Sequence, residues 1–236
     1  MNTFFASLRE ILNSEVSRRA THDKVCHIML TGGRAANKFY KIWSHDLVGL
    51  AKHGKFEFYF SDERCVSRNN KESNFAMVMR YMKSLHNSDQ IIHGIFGETT
   101  DLECEAIRYS NLLPEKLDIL LLSVGEDGHI ASLFPDHTSL RDNDSKVVTV
   151  LNAPKAPFQR FSIAPSVIKN AKEVVVMACG KDKGRMLATA LANPKEFVKI
   201  PVCLTIGRTW ILDNCAKKEF LAHKPGDLHN TKVIYA

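Results

Sequence analysis

Three short apolar runs, 25–31, 117–124 and 173–179, each lead straight into a glycine: Gly32, Gly125 and Gly180. Runs of that length, closed by glycine, read as buried strands. Two further runs at 56–60 and 147–151 read the same way, as do 160–164 and 202–206. Between them lie longer stretches with apolar residues at helical spacing. One runs through Phe39, Tyr40, Ile42 and Trp43; others cover 74–85, 102–113 (closed by Pro114) and 181–191. At the start of the chain, Phe4, Phe5, Leu8, Ile11 and Leu12 predict an amphipathic helix. Strands alternating with helices predict an α/β chain with a mostly parallel sheet and helices on both faces. No repeat, low-complexity stretch or Pro/Gly/Ser linker interrupts the pattern, so residues 1–236 read as one domain. In open sheets of this kind ligands bind beyond the carboxyl ends of the strands. The polar residues just after the glycines are therefore the ones to examine.

Composition narrows the function classes. The longest apolar runs fall far short of the roughly 20 residues a membrane helix needs. Arg9 and Glu10 interrupt the first apolar segment, which does not read as a secretory signal, and a cytoplasmic location is the expectation. Six cysteines occur without any C-x-x-C pair, and no Cys/His cluster has zinc-site spacing. Free thiols are expected, with Cys26, Cys179 and Cys203 buried, and no metal site. The net charge is +6, but the positive residues are spread along the chain with no block of like charge. A small anionic ligand fits that pattern better than a nucleic acid or a membrane surface.

Four segments carry candidate chemistry. Leu30-Thr31-Gly32-Gly33-Arg34 is a strand, two glycines and a helix start. Glycines let backbone N–H groups approach an anion, and the helix dipole and Arg34 add positive charge. The same pair could simply serve the turn geometry. It matches neither a Walker motif nor a dinucleotide fingerprint. Ser61-Asp62-Glu63-Arg64 could orient hydroxyls and clamp a phosphate, although alone it reads as a solvated turn with a local ion pair. Ser73-Asn74 could cap the helix that follows. Gly125-Glu126-Asp127-Gly128-His129 follows the cleanest strand and puts His129 where a helix would begin. A histidine there can act as a general base, with a nearby carboxylate setting its orientation. Backbone N–H groups of that turn could stabilise an oxyanion. Arg160, after Pro157, and Lys183, after Gly180, place cations near strand ends; each taken singly reads as surface charge.

Taken together the segments resemble the 6-phosphogluconolactonase family. The stretch Gly125-Glu126-Asp127-Gly128-His129-Ile130-Ala131-Ser132-Leu133-Phe134-Pro135 is similar to its G-x-D-G-H-x-A-S-L-F-P signature. The Gly32-Gly33 turn, Asp62-Glu63-Arg64, Ser73-Asn74, Arg160, Gly180-x-x-Lys183 and Trp210-x-x-Asp213 fall in the family's order, from about residue 25 to about 216. The resemblance implies a modified doubly wound fold, shared with glucosamine-6-phosphate deaminase and ribose-5-phosphate isomerase. It also implies hydrolysis of 6-phospho-D-glucono-1,5-lactone, the second step of the oxidative pentose phosphate pathway, without a metal or organic cofactor. On that reading His129 is the base. Arg64 and Lys183 hold the phosphate with help from Arg160, while Asp62 and Asp127 hold hydroxyls or orient His129. Gly32, Gly33 and Arg34 form a further wall. Which amides meet the oxyanion is open, and the protein is expected to be a monomer or a homodimer. One departure is clear: Arg34-Ala35-Ala36 stands where the family has Ser/Arg-Thr-Pro.

Two rivals remain at this stage. A glucosamine-6-phosphate deaminase shares the D-G-H turn but continues with a Phe-Asn-Glu-Pro-like run in place of Ser132-Leu133-Phe134-Pro135. A non-catalytic sugar-phosphate sensor has no need of His129, and the chain has no spare length for a DNA-binding domain.

Overall fold

The run Val25–Leu30 forms strand β1 and Lys55–Phe60 forms β2, parallel to it and in register from Val25 opposite Lys55 to Leu30 opposite Phe60. The computed structural model describes residues 3–21, 23–83, 85, 91–142, 144–223 and 225–236. Beyond β2 lies β4 (Ile91–Ile92). On the other side of β1 come β5 (Ile119–Ser123), β8 (Glu173–Ala178), β9 (Thr209–Leu212) and β10 (Lys232–Tyr235). All seven strands are parallel. Successive residues of the central strands are buried on both faces, as a parallel sheet covered on both sides requires.

The strand order reverses between β1 and β5, so the connections travel outward in opposite directions. Right-handed crossovers then place helices on opposite faces. Helix α2 (Arg34–Leu50) links β1 to β2 and packs against α1 (Thr3–Arg19) and α3 (Asn74–Met82). Helices α6 (Lys181–Ala192) and α7 (Asn214–Ala222) follow β8 and β9 and pack tightly on each other. Helix α4 (Leu102–Leu112) precedes β5, and the short α5 (Pro165–Asn170) precedes β8. The reversal leaves a crevice beyond the carboxyl ends of β1 and β5, where such sheets bind ligands.

A second, antiparallel sheet closes that end. It contains β3 (Asp62–Arg64), β7 (Arg160–Ile163) and β6 (Val147–Val150), in the order β3-β7-β6. Only Ser61 separates β2 from β3. Its N–H donates to the Leu30 carbonyl at 2.8 Å, and its own carbonyl accepts from the Ile163 N–H at 2.8 Å. One residue thus belongs to both sheets.

Several expectations change. Residues 202–206 are not a strand: Pro201–Thr205 forms a 3-10 helix, with proline at its start and the Thr205 hydroxyl donating to the Val202 carbonyl at 2.7 Å. The strand lies just beyond, at β9, where Trp210 is fully buried. Helix α3 stops at Met82, short of the expected 85, and Ser84 lies outside the described residues. Cys26 and Cys203 are buried but Cys179 only partly so. Among the described residues no helix is long and apolar enough to cross a membrane.

Two glycines in helices give opposite expectations. A Cβ at Gly184 would overlap the Ala216 backbone where α6 meets α7, whereas one at Gly49 would meet nothing. Urea unfolding should show Gly184→Ala destabilised by roughly 1–3 kcal/mol through overpacking. Gly49→Ala should be stabilised by about 0.5–1 kcal/mol through reduced chain entropy.

Candidate active site

The chain leaves β5 at Val124 and folds into a tight turn. The Gly125 N–H donates to the His129 carbonyl at 2.8 Å, and Ile130 bridges back to both Val124 and Leu133. His129 therefore sits in a pinned turn, not at a helix start as the sequence suggested. A Cβ at Gly125 would overlap the His129 ring and crowd the Asp127 carboxylate, so only glycine allows the two to approach. His129 Nδ1 lies 2.5 Å from Asp127 Oδ1, which also accepts from the His129 N–H at 3.2 Å. A carboxylate only accepts, so Nδ1 carries the hydrogen, and in the neutral ring Nε2 is then the nitrogen with the lone pair. Burial would raise the Asp127 carboxyl, but the hydrogen bond and charge of His129 outweigh it and bring it down to about 2.

His129 faces a cleft of about 730 Å³. Gly32, Gly33, Arg34, Asp62, Arg64, Arg160 and Lys183 line the same cleft; Asp127 stands behind His129. All nine candidates of the sequence thus converge. Helix periodicity relates Lys38 to Arg34, one turn apart, and Lys38 lines the cleft too. Thr31, from the first glycine motif, and Ser123, at the end of β5, also line it, as do Asn37 and Lys155, which no sequence signal marked.

Helices α2 and α6 both start at the cleft, on glycines in the same unusual conformation. Gly33 has φ 99° and ψ 169°, Gly180 φ 104° and ψ 160°, and neither offers a side-chain cap. That region is essentially restricted to glycine. First-turn N–H groups have no partner within their own helix, so both helix starts present donors and positive dipole ends to the cleft. Asp213 holds the second of these in place: its Oδ1 accepts from the Gly180 N–H at 3.1 Å and from the Ala216 N–H at 2.8 Å. In the His129 turn, by contrast, the Gly125 and Gly128 N–H groups are already used internally.

Arg64 and Arg160 are directly opposite each other across β3 and β7. Like charges in that position repel. Burial lowers the Arg160 guanidinium from its ordinary value, and Arg64 lowers it further. Two of the Arg160 nitrogens donate to the loop before it, Nε to the Pro157 carbonyl and Nη2 to the Lys155 carbonyl, both at 2.9 Å. Arg160 is therefore a buried anchor of that loop, not a surface charge. Arg64 Nη1 donates to the Glu72 carbonyl at 2.6 Å, while its buried Nε has no partner among the described residues. Burial also pushes the Lys183 ammonium down. Seven lysines and arginines line the cleft against four acidic residues. Of the four, Asp62 and Asp213 are engaged by protein donors.

Asp62 and Glu63 are buried strand residues, not a solvated turn. Among the described residues no group of three or more His, Cys, Asp or Glu side chains could hold a metal ion.

A sequence model of the family described as glucosamine-6-phosphate isomerases/6-phosphogluconolactonase matches residues 2–210. A 6-phosphogluconolactonase of Treponema pallidum is 28% identical over 204 residues, covering 82% of this chain and 84% of the relative. The 6-phosphogluconolactonase of Trypanosoma cruzi has a similar fold, with TM-score 0.73, 20% identity and coverage of 91% of this chain and 92% of that one. A monomeric glucosamine-6-phosphate deaminase is similar too, with TM-score 0.74, 19% identity and coverage of 93% and 98%.

The Asp127 carboxyl is lowered in the folded protein, so it adds stability above its unfolded value near 4. That stability is lost as pH falls toward about 2. In His129→Ala the carboxyl should return toward the ordinary range, which carbon-detected NMR titration reads directly. The acid-induced loss of stability between pH 5 and 2 should shrink with it.

Proposed function

The chain belongs to the family of glucosamine-6-phosphate isomerases and 6-phosphogluconolactonases, and from that premise we propose that it hydrolyses 6-phospho-D-glucono-1,5-lactone to 6-phosphogluconate. The observation that carries the reading is the sharing of one cleft by the His129–Asp127 pair and the facing arginines Arg64 and Arg160. A base and a paired cation site suit a substrate with an electrophilic carbonyl at one end and a phosphate at the other. A cleft of about 730 Å³ is large enough for a phosphorylated six-carbon ring.

On this reading His129 Nε2 takes a proton from water as the water oxygen bonds to the lactone carbonyl carbon. Asp127 holds the ring and stabilises the imidazolium that forms. The tetrahedral oxyanion meets backbone N–H groups at the glycine-capped start of α2, since the Gly125 and Gly128 amides are already taken. Collapse breaks the bond from carbonyl carbon to ring oxygen. The imidazolium returns its proton to that oxygen, which becomes a hydroxyl, and the carboxylic acid product ionises in solution. Arg64, which lines the cleft, and Lys183, on the first turn of α6, hold the phosphate dianion, with Arg160 beside them. The ester is reactive enough that water serves as the nucleophile, and the acid–base steps use this chain's own side chains. Asn37, on the wall where Ala35 carries no hydroxyl, supplies an amide to the sugar.

Lactone generated in place by glucose-6-phosphate dehydrogenase, with product followed through 6-phosphogluconate dehydrogenase, tests the reading once the spontaneous rate is subtracted. The wild type should accelerate opening, and His129→Ala should lower kcat by roughly 10²–10⁴. Arg64→Ala should cost about 10- to 100-fold in kcat/KM, the scale of a lost charge-assisted hydrogen bond. For the wild type kcat/KM should fall with added salt, as expected when a positive cleft attracts a dianion. Ammonia release from glucosamine-6-phosphate without lactone hydrolysis would overturn the proposal in favour of a deaminase.

A further inference from the structure

Beta strand β3 carries two residues on one face, Asp62 and Arg64, and strand β7 carries their cross-strand partners, Ser162 and Arg160. The two rungs lie about 7 Å apart along the strands. The second rung is the arginine pair. The first grips Ser132, a residue of the signature stretch to which no role has been given. The Ser132 hydroxyl donates to Asp62 Oδ2 at 2.8 Å, and its N–H donates to Ser162 Oγ at 3.1 Å. Ser132 is fully buried and three residues beyond His129, in the turn already pinned at Ile130.

The grip is itself braced. Asn74 Nδ2 donates to the Asp62 carbonyl at 2.9 Å and to Asp62 Oδ1 at 3.2 Å. The buried Glu63 carboxylate accepts from the Arg64, Asn74 and Phe75 N–H groups, each at 2.8 Å, and from the Ser73 hydroxyl at 3.1 Å. A Cβ at Gly32 would overlap the Asn74 amide, so the same side chain also abuts the first glycine turn. The Asp62 carboxylate is thereby occupied by protein donors on both oxygens.

We infer that Ser132 is a positioning residue: held by the Asp62/Ser162 rung, it fixes the His129 ring relative to the Arg64/Arg160 rung. The strand geometry thus sets the reach between the attacked carbonyl and the phosphate. This deepens the lactonase reading and rests on it. A phosphorylated lactone is tethered at the arginines and cannot follow a displaced histidine. An unphosphorylated lactone is free to shift with it.

The experiment compares Ser132→Ala with the wild type on 6-phosphogluconolactone and on unphosphorylated glucono-1,5-lactone. The variant should lose about 10- to 100-fold in kcat on the phosphorylated substrate, the scale of a small misplacement, with KM within about threefold. Its rate on the unphosphorylated lactone should stay within about threefold, and Ser132→Thr, which restores the hydroxyl, should recover most of the loss. Adding Asp62→Ala to Ser132→Ala should lower kcat no further than Asp62→Ala alone. Equal losses on both substrates, or full activity of Ser132→Ala on the phosphorylated one, would overturn the inference. A raised KM in Asp62→Ala with a silent Ser132→Ala would instead make Asp62 a substrate ligand and overturn it as well. If the wild type opens neither lactone, the functional reading fails separately. The positioning role is then decided by NMR of the His129 ring, which should shift in Ser132→Ala; an unmoved resonance would sink it.

Discussion

Where a parallel strand stops, its last N–H and carbonyl lose their neighbours and must find other partners inside the protein. The cleft depends on how β1 and β2 meet that constraint. At the end of β1 the buried Tyr40 hydroxyl accepts from the Thr31 N–H at 3.0 Å and donates to the Thr31 carbonyl at 2.9 Å. At the end of β2 the buried Tyr109 hydroxyl accepts from the Phe60 N–H at 2.6 Å and donates to the Phe60 carbonyl at 3.2 Å. Each phenol satisfies both backbone groups of one residue, and burial pushes both phenols well above their ordinary value, so they remain donors. With those ends closed, β1 can turn into Gly32-Gly33 and β2 can pass through Ser61 into a different sheet. The chemistry is then built from backbone that no longer belongs to the main sheet.

Electrostatics explains why the cleft tolerates so much like charge. Arg64 and Arg160 face each other, Lys183 is partly buried, and two helix starts point the same way. Such an arrangement is unfavourable when empty and favourable around a dianion. The acidic residues nearby offset only part of it: Asp62 is held by Ser132 and Asn74, Asp213 by the start of α6 and of α7, and Glu72 lies 3.8 Å from Arg64 Nη1, while lysines and arginines outnumber acids along the cleft. Among the described side chains Asp127 bonds His129. Asp62, Asp127 and Asp213 thus each hold other parts of the site in place.

Much of this was legible in the sequence because it is local. The glycine-terminated apolar runs marked β1, β5 and β8, and the dense Gly/Asp/His turn singled out His129. The Gly33 and Gly180 caps sit where the runs end. The failures also have local causes. Residues 202–206 form a short apolar run like the true strands, yet Pro201 and the Thr205 hydroxyl favour a 3-10 turn. The edge strand β10 is only partly buried, so it lacks the continuous apolar run that marks a central strand. Asp62 and Glu63 read as solvated because charged residues usually are, but in the interior the start of α3 satisfies Glu63, and Ser132 and the Asn74 side chain satisfy Asp62.

The sequence by itself determined the alternation of strands and helices, the crevice-side glycines and the Gly/Asp/His turn, since each follows from periodicity or from a motif within a few positions; Asp62, Arg64, Arg160 and Lys183 became candidates only through the family resemblance. Tertiary structure alone decided how those residues work together. Arg64 meets Arg160 across an antiparallel pair, and Asp62 meets Ser132 seventy positions away. Those pairings exist because one residue, Ser61, carries the chain from the first sheet into the second. The energy of such contacts depends on register between distant segments, and no window of sequence contains it.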